Sequence, residues 1–130
     1  MIKVLALNHV SLLVSDTARA LDFYHGLLGL PVDSSRPDLG FPGAFLDVGS
    51  AQIHLLELAP PAVREAAASH GGRDSHVALE VLDLDAAVTL LDGAGIAYTL
   101  SRSGRRALFC RDPDGNAVEL LERMPGESPN

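Results

Sequence analysis

His9, His54, His76 and Glu119 are the side chains in this sequence best suited to chemistry, because they occur as two matching pairs. His9-Val10-Ser11-Leu12-Leu13-Val14 recurs as His76-Val77-Ala78-Leu79-Glu80-Val81. Ile53-His54-Leu55-Leu56-Glu57 recurs as Val118-Glu119-Leu120-Leu121-Glu122. The spacing is 67 positions from His9 to His76 and 65 from His54 to Glu119. Two halves that fold alike would be related by a pseudo-two-fold axis, and equivalent side chains near it would converge. Three imidazoles and a carboxylate suit Zn, Ni, Fe, Mn or Co. A lone strand histidine is more often a hydrogen-bonded structural residue; four such groups at repeat-equivalent positions argue for a divalent-metal site.

Strand parity agrees with this. In a strand read over residues 3–14, Val10, Leu12 and Val14 share one face and His9, Ser11 and Leu13 the other. His54, His76 and Glu119 also lie opposite apolar neighbours, so all four point to the non-helix side of a curved sheet. The elements around them form two β-α-β-β-β modules, residues 1–58 and 75–124, with a linker at 59–74 and a tail at 125–130. The whole is expected to be one α+β domain. In the first module Ser15-Asp16 caps a helix bearing Ala18, Leu21, Tyr24 and Leu28, and Gly29 stops it. A short strand is expected near Leu30–Asp33, and Ala44–Val48 and Ala51–Leu58 flank the hairpin signal Gly49-Ser50. A short helix is expected over Ala62–Ser69. In the second module Ser75–Val81 is a strand, and Asp83 or Asp85 caps a helix through Leu91 that ends at Gly93 or Gly95. Ile96–Leu100, Ala107–Cys110 and Ala117–Glu122 are strands, the last two joined by the turn Asp112-Pro113-Asp114-Gly115-Asn116.

A formal charge of −7 argues against nucleic-acid binding, which needs Lys and Arg to neutralise phosphates. No apolar run approaches the ~18 residues of a membrane span, and the N-terminus lacks a signal-peptide pattern, so the cytoplasm is the expected location. Cys110 is the single cysteine, which excludes an internal disulfide and a zinc finger and reads as packing. His25 and His70 lack repeat mates and read as surface residues. Arg36, Arg73, Arg105 and Arg106 are candidates to bind an anionic substrate or a carboxylate-bearing thiol cofactor. Arg105 and Arg106, just before the strand Ala107–Cys110, are the best placed.

Three blocks carry a family resemblance: Leu7-Asn8-His9-Val10, Phe23-Tyr24-His25-Gly26-Leu27-Leu28-Gly29-Leu30, and Arg111-Asp112-Pro113-Asp114-Gly115-Asn116-Ala117-Val118-Glu119-Leu120. Together they resemble the vicinal oxygen chelate superfamily, which includes glyoxalase I, extradiol dioxygenases and bleomycin-binding proteins. The resemblance covers about residues 4–123. It implies an eight-stranded cup with helices on its outer face, a divalent metal held by His9, His54, His76 and Glu119, and a small substrate bound through neighbouring oxygens. It also implies a homodimer in which the site can be shared between chains. A lyase or isomerase of glyoxalase type would use Glu119 or Glu80 as its base. However, glyoxalase I commonly has glutamate at both last-strand ligand positions, whereas this chain has His54 at one. An extradiol-type dioxygenase would need only His9, His76 and Glu119. A metal-free bleomycin-sequestering protein would need an aromatic-lined groove, and this chain has six aromatics and no Trp.

Overall fold

The computed structural model describes residues 1–59, 69–124 and 126, in two compact units, Met1–Pro61 and Ala62–Asn130. The helix expected over Ala62–Ser69 lies outside the described residues apart from Ser69, as does most of the tail.

The first unit is a three-stranded sheet in the order β1-β3-β2, formed by β1 (His9–Val14), β2 (Gly43–Val48) and β3 (Ala51–Glu57). β3 pairs parallel to β1 and antiparallel to β2, with Gly49 at φ 56° in the connecting turn. Helix α1 (Thr17–Leu21) is capped by the Asp16 carboxylate, which accepts from the Arg19 N–H, and continues as a π-helical turn over Asp22–Leu27. The wider turn carries Phe23 and Tyr24, both buried. They pack with Val14, Ala20, Ala44, Leu46, Ile53 and Leu55 in the core of this unit. The other sheet face, with His9, Gln52, His54 and Phe45, is the one not covered by α1.

Two expectations are corrected here. The strand near Leu30–Asp33 is reduced to one bridge, Val32 to Leu46, flanked by the Asp33 N–H on the Phe45 carbonyl and the Asp47 N–H on the Pro31 carbonyl. Pro31 has no N–H to extend the ladder. The first strand starts at His9 and not at residue 3. Alternation alone does not make a strand without a neighbour to pair with, and Ile2, Val4, Leu5 and Leu7 are exposed.

The second unit is a four-stranded sheet in the order β4-β7-β6-β5, formed by β4 (His76–Val81), β5 (Tyr98–Leu100), β6 (Ala107–Arg111) and β7 (Ala117–Glu122). β4 and β7 are parallel, as β1 and β3 are, with β6 antiparallel to β7. Helix α2 (Leu84–Gly93) is capped by Asp83, which accepts from the Ala86 N–H. The β6–β7 turn is built on buried Asp112, whose carboxylate accepts from the Asp114 and Asn116 N–H groups and the Asn116 amide. Gly115, at φ 87°, takes the left-handed position that this turn requires. A 3-10 turn, Gly71–Arg73, packs against β6 and β7. A Cβ on Gly71 would sit 3.0 Å from the Cβ of Phe109, so a larger residue there would need Phe109 to give way by a few tenths of an ångström.

Candidate functional site

Each unit presents the same pair of positions on the sheet face away from its helix. In the first, register sets His9 opposite Gln52 and His54 opposite Ser11. In the second, His76 is opposite Ala117 and Glu119 opposite Ala78. The first-strand and last-strand candidates are therefore offset by two residues on one face in both modules.

A third equivalence was not read from the sequence. Phe45 pairs with His54 across β2 and β3, and Phe109 pairs with Glu119 across β6 and β7. Phe45 stacks on His54 with centroids 3.5 Å apart and planes 9° from parallel. His54 in turn stacks on His9 at 4.0 Å and 17°. In the other unit Phe109 meets His76 edge-on at 5.1 Å, and His70 likewise at 5.0 Å. Only strand register could have linked these phenylalanines to the candidate ligands.

The hydrogen bonds fix the rings. The His76 Nδ1 donates to the Asp74 carbonyl at 2.8 Å, which leaves Nε2 unprotonated in the neutral ring. That nitrogen lies 3.3 Å from Glu119 Oε1. Two acceptors face each other, a contact that becomes favourable when a proton or a metal ion lies between them. Glu119 is only 4% exposed, and its Oε2 is buried without a hydrogen bond, with the Arg105 guanidinium 3.6 Å away. An ionised carboxylate so poorly satisfied is costly unless it is neutralised or coordinated. The donor set of this unit therefore fits a divalent cation.

His9 follows the same pattern, with Nδ1 donating to the Asn8 side-chain oxygen at 2.7 Å. His54 does not. The Gln52 amide nitrogen donates to Asp33 and to Asp47, both at 2.9 Å, so its oxygen is left to accept from His54 Nε2 at 2.8 Å. Burial pushes His54 below its ordinary pKa, with the nearby His9 and Arg36 charges adding to the shift. The bond to Gln52 puts the proton of the neutral His54 ring on Nε2, which leaves the lone pair on Nδ1. Within each unit the candidates come in twos; neither unit gathers three or more His, Cys, Asp or Glu side chains among its described residues.

The remaining candidates are more dispersed. Glu80 shares the His76 face of β4 by parity, is exposed, and accepts from the Arg123 guanidinium at 2.9 Å. Arg106 binds Glu122 at 2.8 Å and Asp85 at 3.1 Å, spanning β7 and α2. Arg73 is exposed on the 3-10 turn. His25 is exposed and His70 half-buried, and they hydrogen-bond the Leu30 carbonyl and the Thr99 hydroxyl. Cys110 is buried, and burial pushes its thiol up to about 11, which suits packing and not nucleophilic attack.

The family model described as the Glyoxalase/Bleomycin resistance protein/Dioxygenase superfamily matches residues 6–120. The chain belongs to this superfamily. It is 30% identical over 121 residues to a protein named Glyoxylase I 4 from Arabidopsis thaliana, covering 88% of this chain and 69% of that one. A glyoxalase family protein from Bacillus anthracis has the same fold, with a TM-score of 0.75 at 21% identity, covering 95% of this chain and 99% of that one. A lactoylglutathione lyase from Agrobacterium tumefaciens is also similar in fold, with a TM-score of 0.63 at 24% identity, covering 90% and 92% of the two chains. Two small sheets with few helices are the α+β architecture of this family. Among the described residues no helix is long and apolar enough to cross a membrane.

Proposed function

We propose that this chain is a divalent-metal enzyme that binds a small molecule through two neighbouring oxygens, a lyase or isomerase of glyoxalase type. The observation that carries this reading is the buried Glu119 carboxylate 3.3 Å from Nε2 of His76, a pair of positions repeated by His54 and His9. In this reading the two sheets, with the single Val32 bridge in the place of an eighth strand, form the family's cup with the helices outside. His9, His54, His76 and Glu119 then hold the ion, within one chain or across a homodimer. When bound, the metal supplies Lewis acidity, stabilising negative charge as it develops on substrate oxygen.

The chain's own groups do the rest. Asp74 and Asn8 orient two of the rings through Nδ1, the outer-shell role that metal-bound imidazoles require. Glu119 or Glu80 accepts the substrate proton. Arg105 and Arg73 offer positive charge to an anionic group, whereas the bonds of Arg106 to Glu122 and Asp85 suit it to holding α2 on the sheet. Metal analysis of the protein purified without an affinity tag, with a screen of α-ketoaldehydes and catechols, tests the reading. His9→Ala and Glu119→Ala should each lose the metal; full occupancy in either variant would remove that residue from the ligand set.

One observation favours a second reading. The bond from His54 Nε2 to Gln52, with the ring held between Phe45 and His9, suits a three-residue set of His9, His76 and Glu119. That set is the two-His-one-carboxylate arrangement of an iron dioxygenase. His54→Ala separates the two: metal retained with catechol cleavage supports the dioxygenase, metal lost supports the four-ligand site. Ligand binding that a chelator leaves unchanged would instead support a metal-free binding protein.

A further inference from the structure

Arg36 is the one half-buried arginine, among the described residues, with no carboxylate within 4.0 Å. Arg111 and Arg123 are also half-buried, and each is ion-paired, to Asp74 and to Glu80 at 2.8 and 2.9 Å. Arg36 instead lies over two aromatic rings, its guanidinium carbon 5.4 Å from the Phe41 centroid and 5.7 Å from that of Phe45. One terminal nitrogen donates to the Phe41 carbonyl at 3.0 Å, and its Nε is buried without a partner. The close approach has been accommodated in the sequence. A Cβ on Gly43 would come within 2.9 Å of the guanidinium and would collide with the Leu55 carbonyl. Phe45, under Arg36, is also the ring stacked on His54.

A guanidinium taken partly out of water, in a chain of net charge −7, is costly without a counter-charge. We infer that Arg36 receives an oxyanion on the substrate, a carboxylate or its like, whose apolar neighbour lies against Phe41 and Phe45. The substrate class is then a small molecule that carries an acidic group beside its two neighbouring oxygens. This rests on the reading of the His54 face as the substrate face. Arg36 acts as a specificity residue, and a planar fork between two rings gives a bidentate anion a fixed direction.

The test uses the full chain freed of metal by chelator and dialysis, with butyrate as probe and butyramide as its uncharged counterpart. The Arg36 side-chain N–H resonances, assigned by their loss in Arg36→Lys, should shift saturably with butyrate and not with butyramide. Arg36→Gln should weaken butyrate binding by about tenfold or more, the loss expected when a charge-assisted hydrogen bond is removed. Arg36→Lys should retain part of the affinity, and Arg19→Gln, at an exposed helix residue, should change nothing. Unshifted Arg36 resonances in the wild-type chain, equal binding of butyramide, or a loss below about tenfold in a folded Arg36→Gln variant would each overturn the inference. If metal binding fails while butyrate still shifts Arg36, the metal reading falls and this one stands. If metal binds and Arg36 ignores butyrate, the reverse holds.

Discussion

At Glu119 burial and charge oppose one another. The carboxylate is kept from water while one oxygen has no hydrogen bond. Glu119→Gln should therefore stabilise the metal-free chain by about 1 kcal/mol, because a neutral amide tolerates that position better. The same change should abolish metal binding. Urea denaturation with and without chelator measures both effects. A destabilised metal-free variant would show that Arg105 and His76 already satisfy the charge. Cys110 gives a second expectation at this scale. With its thiol pushed up to about 11 by burial and the Asp112 charge, it should resist an aromatic disulfide reagent at neutral pH until the chain is unfolded. Rapid modification of the native protein would contradict that.

At the scale of the element, both helices are anchored by the same device. The Thr17 N–H, at the start of α1, donates to the Glu57 carboxylate at 2.7 Å, and the Leu84 N–H, at the start of α2, donates to Glu122 at 2.8 Å. Glu57 and Glu122 end the last strand of each unit, so a negative charge meets the positive end of each helix. The Arg106 guanidinium beside Glu122, then the Leu84 N–H, hold its carboxyl below the usual range. A depressed carboxylate contributes stability above its unfolded pKa, and that contribution disappears as pH falls through the folded value. Glu122→Gln should accordingly lower the denaturation midpoint at pH 7 and match the wild type in acid. A pH-independent difference would show that packing, not charge, explains the effect. Gly43→Ala, with its Cβ set against the Leu55 carbonyl and Arg36, should cost about 1–3 kcal/mol, read from the same melts.

These elements also show what the sequence could reveal. β7 begins and ends where alternation and the Asp112–Asn116 turn put it, because turn chemistry and parity are local. The π-helical turn over Asp22–Leu27 was not legible, since Ala18, Leu21, Tyr24 and Leu28 fit an α-helix equally well and packing of Phe23 and Tyr24 decides. Residues 3–7 alternate but join no ladder among the described residues. His9, His54, His76 and Glu119 were legible as candidates because the repeat sets each pair at equivalent positions. Phe45, Phe109 and Gln52 were not, because their roles depend on cross-strand register; Arg36 was one of four candidate arginines, and only its place over the Phe41 and Phe45 rings sets it apart.

At the scale of the whole molecule, the metal reading predicts coupling between the units. In that reading each unit would supply one pair of donors, and an ion gripping both pairs would stabilise both by mass action. Removing the metal should lower the melting temperature and raise amide exchange on β1 and β3 as much as on β4 and β7. Faster exchange confined to one sheet would mean that the ion belongs to a single unit.

Glu57 and Glu122 have one more consequence. Each stands three residues beyond the position that is His54 in one half and Glu119 in the other. The bond that fastens strand to helix is thus separate from the side chain that faces the opposite way. An exchange of imidazole for carboxylate there leaves the Glu57 and Glu122 bonds to the helices in place. A duplicated ancestor could in this way have retuned its chemistry one half at a time, keeping a fold in which every intermediate remained intact.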